Sequence, residues 1–286
     1  MAKANERFVL PMNRKSPVDS AIADYYRQAP EERRLEQGAF LLEAVRTREL
    51  IQRHLPPPPG VVLDIGGAAG AYALWLAECG YTVHLVDPIP RLVEQAQRRS
   101  TTSHSPLASC EIGDARNLRF PDACAQVVLL LGPLYHLTMA TERIAAIKEA
   151  ARVLKPGGRL FAAAISRWAS ALDGLARDLF EDARFTEIAD RDLLDGQHRN
   201  PTERLDYFTT AYFHRPEELR SEVAEAGLQV LGLYGIEGPG WILPDIDARM
   251  SDSRRRADLL RVARSLESES SLLGINAHLL IVAEKV

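Results

Sequence analysis

The chain of 286 residues is long enough to bury a full hydrophobic core, and 46% hydrophobic with 26% charged residues is typical of a globular protein, not a disordered one. A formal net charge of -4 gives no electrostatic support for binding nucleic acid or an anionic membrane. The 3 cysteines form no CxxC pair, which argues against a disulfide framework or a cysteine zinc site. With no long apolar segment, the composition predicts a cytoplasmic protein.

Apolar residues at helical spacing predict helix over about residues 18–54, up to the stiff proline stretch 56–60. Beyond that stretch, apolar runs alternate with helix-favouring segments. Strands are expected at 61–65, 82–86, 107–112, 125–131, 159–165, 228–234 and 277–284. Helices are expected at 71–79, 141–154 and 216–226. Seven strands with interleaved helices predict a doubly wound, mostly parallel α/β sheet.

The most informative motif is Asp64-Ile65-Gly66-Gly67-Ala68-Ala69-Gly70, directly after the first predicted strand. Its glycines allow a tight turn and a close approach of the backbone to a ligand. Asp87 ends the next strand, where a carboxylate can accept hydrogen bonds from both hydroxyls of an adenosine ribose. Ala68 and Ala71 stand where a dinucleotide fingerprint needs glycine, and no phosphate-loop lysine follows. The turn therefore favours a nucleoside cofactor that has a methionine tail instead of phosphates.

Five blocks in this order resemble class I S-adenosylmethionine-dependent methyltransferases. They are residues 62–70, 85–90, 113–122, 127–137 and 154–160. The flanks at 207–219, 238–241 and 277–285 resemble a bacterial branch that methylates small molecules. The resemblance implies a Rossmann-like methyltransferase fold, S-adenosylmethionine as cofactor and S-adenosylhomocysteine as product.

The resemblance also implies which residues hold the cofactor. They are Asp64, Gly66, Gly67, Ala68 and Gly70 under the methionine moiety, Asp87 at the ribose, Pro88, Ile89, Gly113, Asp114 and Ala115 around the adenine, Leu131 and Gly132 near the sulfonium, and Tyr25 in the covering segment. The family commonly has a glycine where this chain has Ala68, which leaves the local loop geometry open.

A catalytic base is needed only when the methyl acceptor must lose a proton. Three residues on segments expected near the methyl group could act as that base or assist it: His136, His214 and Tyr26. Four aromatic residues predict a pocket for a small, flat, indole-type acceptor: Tyr135, Phe208, Tyr212 and Trp241. The sequence leaves open whether carbon, nitrogen or oxygen receives the methyl group.

Other functions are disfavoured by what the fourth predicted strand lacks. It is followed by Leu131-Gly132-Pro133-Leu134-Tyr135, without the polar motif of enzymes that methylate amino groups of DNA bases. We therefore predict an enzyme of bacterial natural product biosynthesis, a monomer or homodimer, with a small-molecule substrate and no nucleic acid, membrane or metal partner. The alternatives are a non-catalytic S-adenosylmethionine-binding protein, a methyltransferase acting on protein or RNA, and a nicotinamide oxidoreductase.

The long segments outside the regular alternation are expected to cover the active site, because the carboxyl ends of the strands open there. The predicted organisation is an N-terminal helical lid at 1–55, a cofactor-binding core at 56–165, a cap insertion at 166–215, and the end of the core at 216–286 with a second cap insertion at about 236–275. Residues 1–30 are expected to become ordered when the cofactor binds.

Overall fold

A central β-sheet organises the computed structural model, which describes residues 18–286 apart from the side chains of residues 32 and 33. The strands are β1 Val61–Ile65, β2 Thr82–Asp87, β3 Ser109–Ile112, β4 Ala125–Leu130, β5 Leu154–Ser166, β6 Gln197–His198, β7 Ala211–His214, β8 Gln229–Gly235 and β9 His278–Glu284. Seven of them lie in the order β3-β2-β1-β4-β5-β9-β8. β3 to β5 are parallel, whereas β9 is antiparallel to both β5 and β8. The predicted doubly wound, mostly parallel sheet is confirmed.

Helices cover both faces of this sheet. They are α1 Ser20–Gln28, α2 Gly38–His54, α3 Ala71–Glu78, α4 Pro90–Thr102, α5 Pro133–His136, α6 Ala140–Val153, α7 Ala169–Ala176, α8 Ala183–Asp195, α9 Pro216–Glu225, α10 Ile246–Ser251 and α11 Ser253–Leu266. Apolar residues of α2, α3 and α4 pack on one face, and those of α6 and α9 pack on the other. β4 is buried along almost its whole length, which explains its continuous apolar sequence.

Three differences from the predicted elements have local causes. The expected helix over 18–54 is divided into α1, a 3-10 helix at Glu31–Glu36, and α2, because Pro30 cannot donate a backbone hydrogen bond. β5 begins at Leu154, earlier than expected, because this residue already pairs with Ala125. The short strands β6 and β7 lie inside the first cap insertion, where no strand is predicted.

Helix α1 is fastened to the core beside the second strand. Its Ile22 and Tyr26 pack against Ile89 and Leu92. The Arg91 guanidinium donates to the backbone oxygen of Tyr26 at 2.7 Å. It also donates to the backbone oxygen of Ala29, again at 2.7 Å. Helix α1 thus packs on the core, the lid role of this segment stays a prediction, and residues 1–17 of that prediction lie outside the described residues.

Among residues 18–286, no helix has both the length and the apolar character needed to cross a bilayer.

Candidate active site

A cavity of about 1010 Å³ lies at the carboxyl ends of β1, β2 and β4. Ligand sites span about 300–1,000 Å³, so this cavity has room for a nucleoside cofactor together with a second molecule. Its cover comes from α1 and α2, from the segment 169–213, and from residues 236–246. Parts of both predicted insertions therefore line the cavity, whereas α11 of the second one does not.

The turn after β1 can form only with small residues. Gly66 has φ +72°, and a Cβ there would lie 2.6 Å from the ring of Pro133. The backbone conformation and the space both require glycine. Ala68 also has a positive φ of +46°, which is strained for an alanine. The position where the resembled family commonly has glycine thus adopts a glycine-like conformation here.

Two buried carboxylates stand at this turn. The Asp87 carboxylate accepts from the backbone N–H of Ala68 at 3.0 Å and of Ile89 at 2.8 Å. Burial raises the pKa of Asp87 to about 6, although these two N–H groups oppose the shift. Burial and the neighbouring Asp87 raise the pKa of Asp64 to about 7. Within the described residues, Oδ2 of Asp64 is buried and has no hydrogen-bond partner. This arrangement suits a ligand that brings a cationic amino group.

The other predicted cofactor residues also reach the cavity wall. They are Tyr25, Gly66, Gly67, Ala68, Pro88, Ile89, Gly113, Asp114, Ala115, Leu131 and Gly132. Gly70 does not line the cavity, and instead starts α3 with φ +82°. Both oxygens of Asp114 accept from Arg116, which fixes that carboxylate at the rim. The roles of these predicted cofactor residues in binding remain predictions.

An aromatic wall forms the part of the cavity between the lid and the first insertion. We use this name for Tyr25, Tyr26, Tyr135, His136 and Phe208, all of which line the cavity. Ring centroids lie 5.2 Å apart for Tyr25 and Tyr26, and 5.3 Å apart for Tyr25 and Phe208. Those of Tyr135 and His136 are 4.7 Å apart. Edge-on packing of this kind suits a flat ligand and a nearby cation.

Both nitrogens of His136 are engaged within this wall. Nδ1 lies 3.2 Å from the backbone oxygen of Thr210, which can only accept, so Nδ1 carries the proton. Nε2 therefore accepts from the hydroxyl of Tyr26 at 2.8 Å. Burial lowers the pKa of His136 to about 4. This histidine is neutral at physiological pH and is a weak proton acceptor.

The predicted roles of Tyr212 and His214 are corrected by the structure, because neither residue lines the cavity. Side chains of a strand alternate between its two faces, and β7 turns Phe213 toward the cavity. The Tyr212 hydroxyl instead donates to Glu218 at 3.0 Å. Nε2 of His214 lies 3.3 Å from Glu222 in a fully buried cluster. The structure therefore places Tyr212 and His214 away from the cavity that holds the other predicted site residues.

Trp241, the remaining predicted substrate residue, does line the cavity. Its indole N–H donates to the backbone oxygen of Ile275 at 2.8 Å, which fixes the ring at the wall.

Many polar residues of the cavity are absent from the predicted site, among them Arg34, Glu43, Glu237 and His278. They come from four separate segments, so no local motif marks them. One signal was available, since Glu237 lies just beyond the predicted strand 228–234 and His278 lies near the start of the next one, 277–284. If those strands are antiparallel, both residues lie at the active-site edge of the sheet.

Comparisons with known proteins agree with this architecture. Residues 63–162 match the family described as "Methyltransferase domain". The human protein "Probable tRNA methyltransferase 9B" is 34% identical over 119 residues, which cover 40% of this chain and 23% of the human protein. The "Ubiquinone/menaquinone biosynthesis C-methyltransferase UbiE" of Caulobacter vibrioides is 29% identical over 132 residues, 42% of this chain and 50% of that protein. The matches thus span half or less of these relatives.

A solved S-adenosylmethionine-dependent methyltransferase of Methanosarcina mazei has a similar fold. It superposes with a TM-score of 0.56 at 18% identity, covering 83% of this chain and 97% of that one. At this identity the likeness concerns the fold.

Proposed function

We propose that this chain, whose residues 63–162 match the family described as "Methyltransferase domain", is a class I S-adenosylmethionine-dependent methyltransferase that acts on a small aromatic or heteroaromatic metabolite. The match to a methyltransferase domain and the methyltransferase-like fold support the coarser part of this proposal, the transfer of a methyl group from S-adenosylmethionine. The choice of acceptor, and a place in bacterial natural product biosynthesis, are the proposal.

The residues present fit the cofactor. The unpaired Oδ2 of Asp64 can accept a hydrogen bond from the amino group of the methionine moiety. The Asp87 carboxylate, which also lines the cavity, can accept hydrogen bonds from the ribose hydroxyls. When bound, the cofactor supplies a methyl group activated by a positively charged sulfur. The protein positions the two reactants and excludes water from them, which can provide much of the rate enhancement.

The aromatic wall is the observation that carries the choice of acceptor. Five rings line one part of a covered cavity, and Trp241 and Phe213 extend this apolar surface. Such a lining buries a flat ring well, whereas a polymer needs an open groove for its flanking units. An indole-type scaffold is the acceptor that this wall suits best.

A polymer acceptor remains the competing hypothesis, because one relative is named for tRNA methylation. That match covers only 40% of this chain, and the lid and first insertion lie mostly outside the matched family region. We therefore include RNA and peptides in the test.

The test has two parts. Titration calorimetry with S-adenosylhomocysteine first establishes cofactor binding, and Gly66→Val, which would clash with Pro133, serves as the non-binding control. Mass spectrometry then scores a gain of one methylene across aromatic metabolites, a peptide pool and an RNA pool. Methylation of a small aromatic compound alone supports the proposal. Methylation confined to peptide or RNA overturns it, and tight binding without any turnover indicates a non-catalytic binding protein.

A further inference from the structure

A cluster of ionisable side chains lies on the cavity wall outside the cofactor loop. His278 begins β9, Glu237 follows β8, and Glu43 lies on α2. Because β9 is antiparallel, His278 pairs with Ile165 near the carboxyl end of β5. The cluster therefore stands at the same edge of the sheet as Gly132, which follows β4 and lines the same cavity.

Glu237 fixes the orientation of His278 through two contacts. Its Oε1 accepts from Nδ1 of the ring at 2.6 Å, and its Oε2 accepts from the backbone N–H of His278 at 3.1 Å. Since Nδ1 carries the proton, the neutral ring presents an unprotonated Nε2. Nε2 makes no hydrogen bond with any described residue, and the side chain keeps 19% of its surface exposed while lining the cavity.

The charges around His278 favour its uptake of a proton. Burial lowers the pKa of His278, but the carboxylates of Glu43 and Glu237 outweigh it and hold this pKa above 6.5. Arg34 acts weakly in the opposite direction. Glu43 remains charged because Arg34 and His278 keep its pKa below 4.5, although burial opposes this. The two carboxylates thus stabilise the protonated ring, which is the form that a base adopts when it accepts a proton.

The same three side chains have ligand atoms within 4.8 Å of one another, close enough to share a metal ion. Their existing contacts favour proton transfer instead. Arg34 donates to both oxygens of Glu43, at 2.9 and 3.1 Å, and His278 occupies both oxygens of Glu237. A metal ion bound here would have to displace Arg34 from Glu43 and break the two hydrogen bonds between Glu237 and His278.

We infer that His278, oriented by Glu237, receives the proton of the methyl acceptor at Nε2, and that the acceptor accordingly carries an N–H or O–H. This inference rests on the proposed function. As the methyl carbon bonds to that nitrogen or oxygen, its bond to sulfur breaks, the electron pair returns to sulfur, and the acceptor's proton goes to Nε2. His136 is less suited to this task, since both of its nitrogens are already hydrogen-bonded.

The ring of His278 can be examined without any acceptor. In ¹⁵N-histidine-labelled protein, the signal missing from His278→Gln identifies it. We expect a titration midpoint above 6.5, an unprotonated Nε2 above that midpoint, and a lower midpoint in Glu237→Gln. A midpoint at or below 6.5, or a neutral ring protonated at Nε2, would overturn the inference. So would selective loss of this signal on adding Mn²⁺, because the cluster would then be a metal site.

Kinetics with an acceptor found in the mass-spectrometric screen provides the second test. We expect His278→Gln to lower kcat about 10²–10⁴-fold while S-adenosylhomocysteine affinity stays within about threefold. His104→Gln, an exposed histidine outside the cavity, should leave both unchanged. An acid limb of kcat near pH 4, or a His278→Gln enzyme within twofold of the parent, would contradict the inference. Failure to find an acceptor counts against the proposed function alone, because the ring titration decides the state of His278 independently.

Discussion

The hydroxyl of Tyr26 donates a hydrogen bond to Nε2 of His136, 2.8 Å away and 110 positions along the chain. This bond joins lid helix α1 to the short helix that follows β4. It also fixes the ring of His136 in the aromatic wall, because Nδ1 is held by Thr210. The position of α1 and the shape of the aromatic wall are therefore coupled through this bond.

Replacing Tyr26 with Phe should destabilise the protein and slow the reaction only modestly. The change leaves Nε2 of His136 buried without a partner, which costs about 1–3 kcal/mol of unfolding free energy. Turnover should fall less than about tenfold, since neither Tyr26 nor His136 is expected to take the proton from the acceptor directly. Denaturant unfolding and steady-state kinetics measure the two effects. A loss of turnover as large as that of His278→Gln would show that Tyr26 and His136 carry the proton instead.

Asp87→Ala should weaken binding of S-adenosylhomocysteine. The variant loses charge-assisted hydrogen bonds to the ligand worth about 1.5–3 kcal/mol, or about one to two decades in affinity. It also releases the backbone N–H groups of Ala68 and Ile89. Calorimetry measures the change, with Glu94→Gln on the exposed side of α4 as the control. Unchanged affinity in Asp87→Ala would remove this carboxylate from the cofactor site.

Binding of S-adenosylhomocysteine should release protons at mildly acidic pH. The pKa of Asp64 is raised to about 7 and that of Asp87 to about 6, so near pH 6.5 Asp64 is mostly protonated and Asp87 partly protonated in the free protein. The cationic amino group and ribose hydroxyls favour the charged carboxylates, which lowers both pKa values. Calorimetry in buffers of different ionisation enthalpy should show release of about one proton near pH 6.5 and much less at pH 8.5.

Asp64→Asn should reduce this release, and proton uptake in the parent protein would contradict the assignment.

The raised pKa values of Asp64 and Asp87 also make the stability of the free protein depend on pH. Between about pH 4 and pH 7 the folded state binds more protons at these two groups than the unfolded chain does, so they make the free energy of unfolding fall as pH rises through that range.

Ala68→Gly should leave stability unchanged or increase it. The left-handed conformation at φ +46° costs an alanine about 1–2 kcal/mol, whereas glycine adds about 0.4–1 kcal/mol of unfolded-state entropy. We expect a net gain of up to about 1 kcal/mol in the free energy of unfolding. Ala69→Gly is the matched control, because Ala69 is buried and has no positive φ, and it should lose stability. Equal losses in both variants would show that Ala68 is unstrained.

The parts of the fold and site that local sequence determines could be predicted. The turn at 64–70 needs glycine for its backbone angles, and Asp87 ends a strand whose apolar pattern is unambiguous. Each feature lies within a few residues of the motif that reveals it. The doubly wound, mostly parallel sheet could be predicted because alternating strands and helices have few ways to pack.

The acceptor side could not be predicted so well because it depends on distant pairings. Whether Phe213 or Tyr212 faces the cavity is decided by how β7 pairs with the end of β5, and a shift of one residue reverses the faces. Glu43, Glu237 and His278 meet only after the lid and the antiparallel strand β9 are in place. Because no strand is predicted at Ala211–His214, neither the alternation of its side chains nor its phase could be read from the sequence.

The side chains of β7 alternate between an apolar cluster on one face of the strand and a buried polar cluster on the other. Ala211 and Phe213 lie in the apolar cluster with Tyr135 and Phe208, whereas His214 belongs to the buried polar cluster around Glu222 on the opposite side. Changes at position 213 can therefore alter the size and shape of the cavity without breaking the polar contacts that anchor the strand. The enzyme could diverge toward new acceptors here through single substitutions, while its scaffold and its cofactor chemistry stay the same.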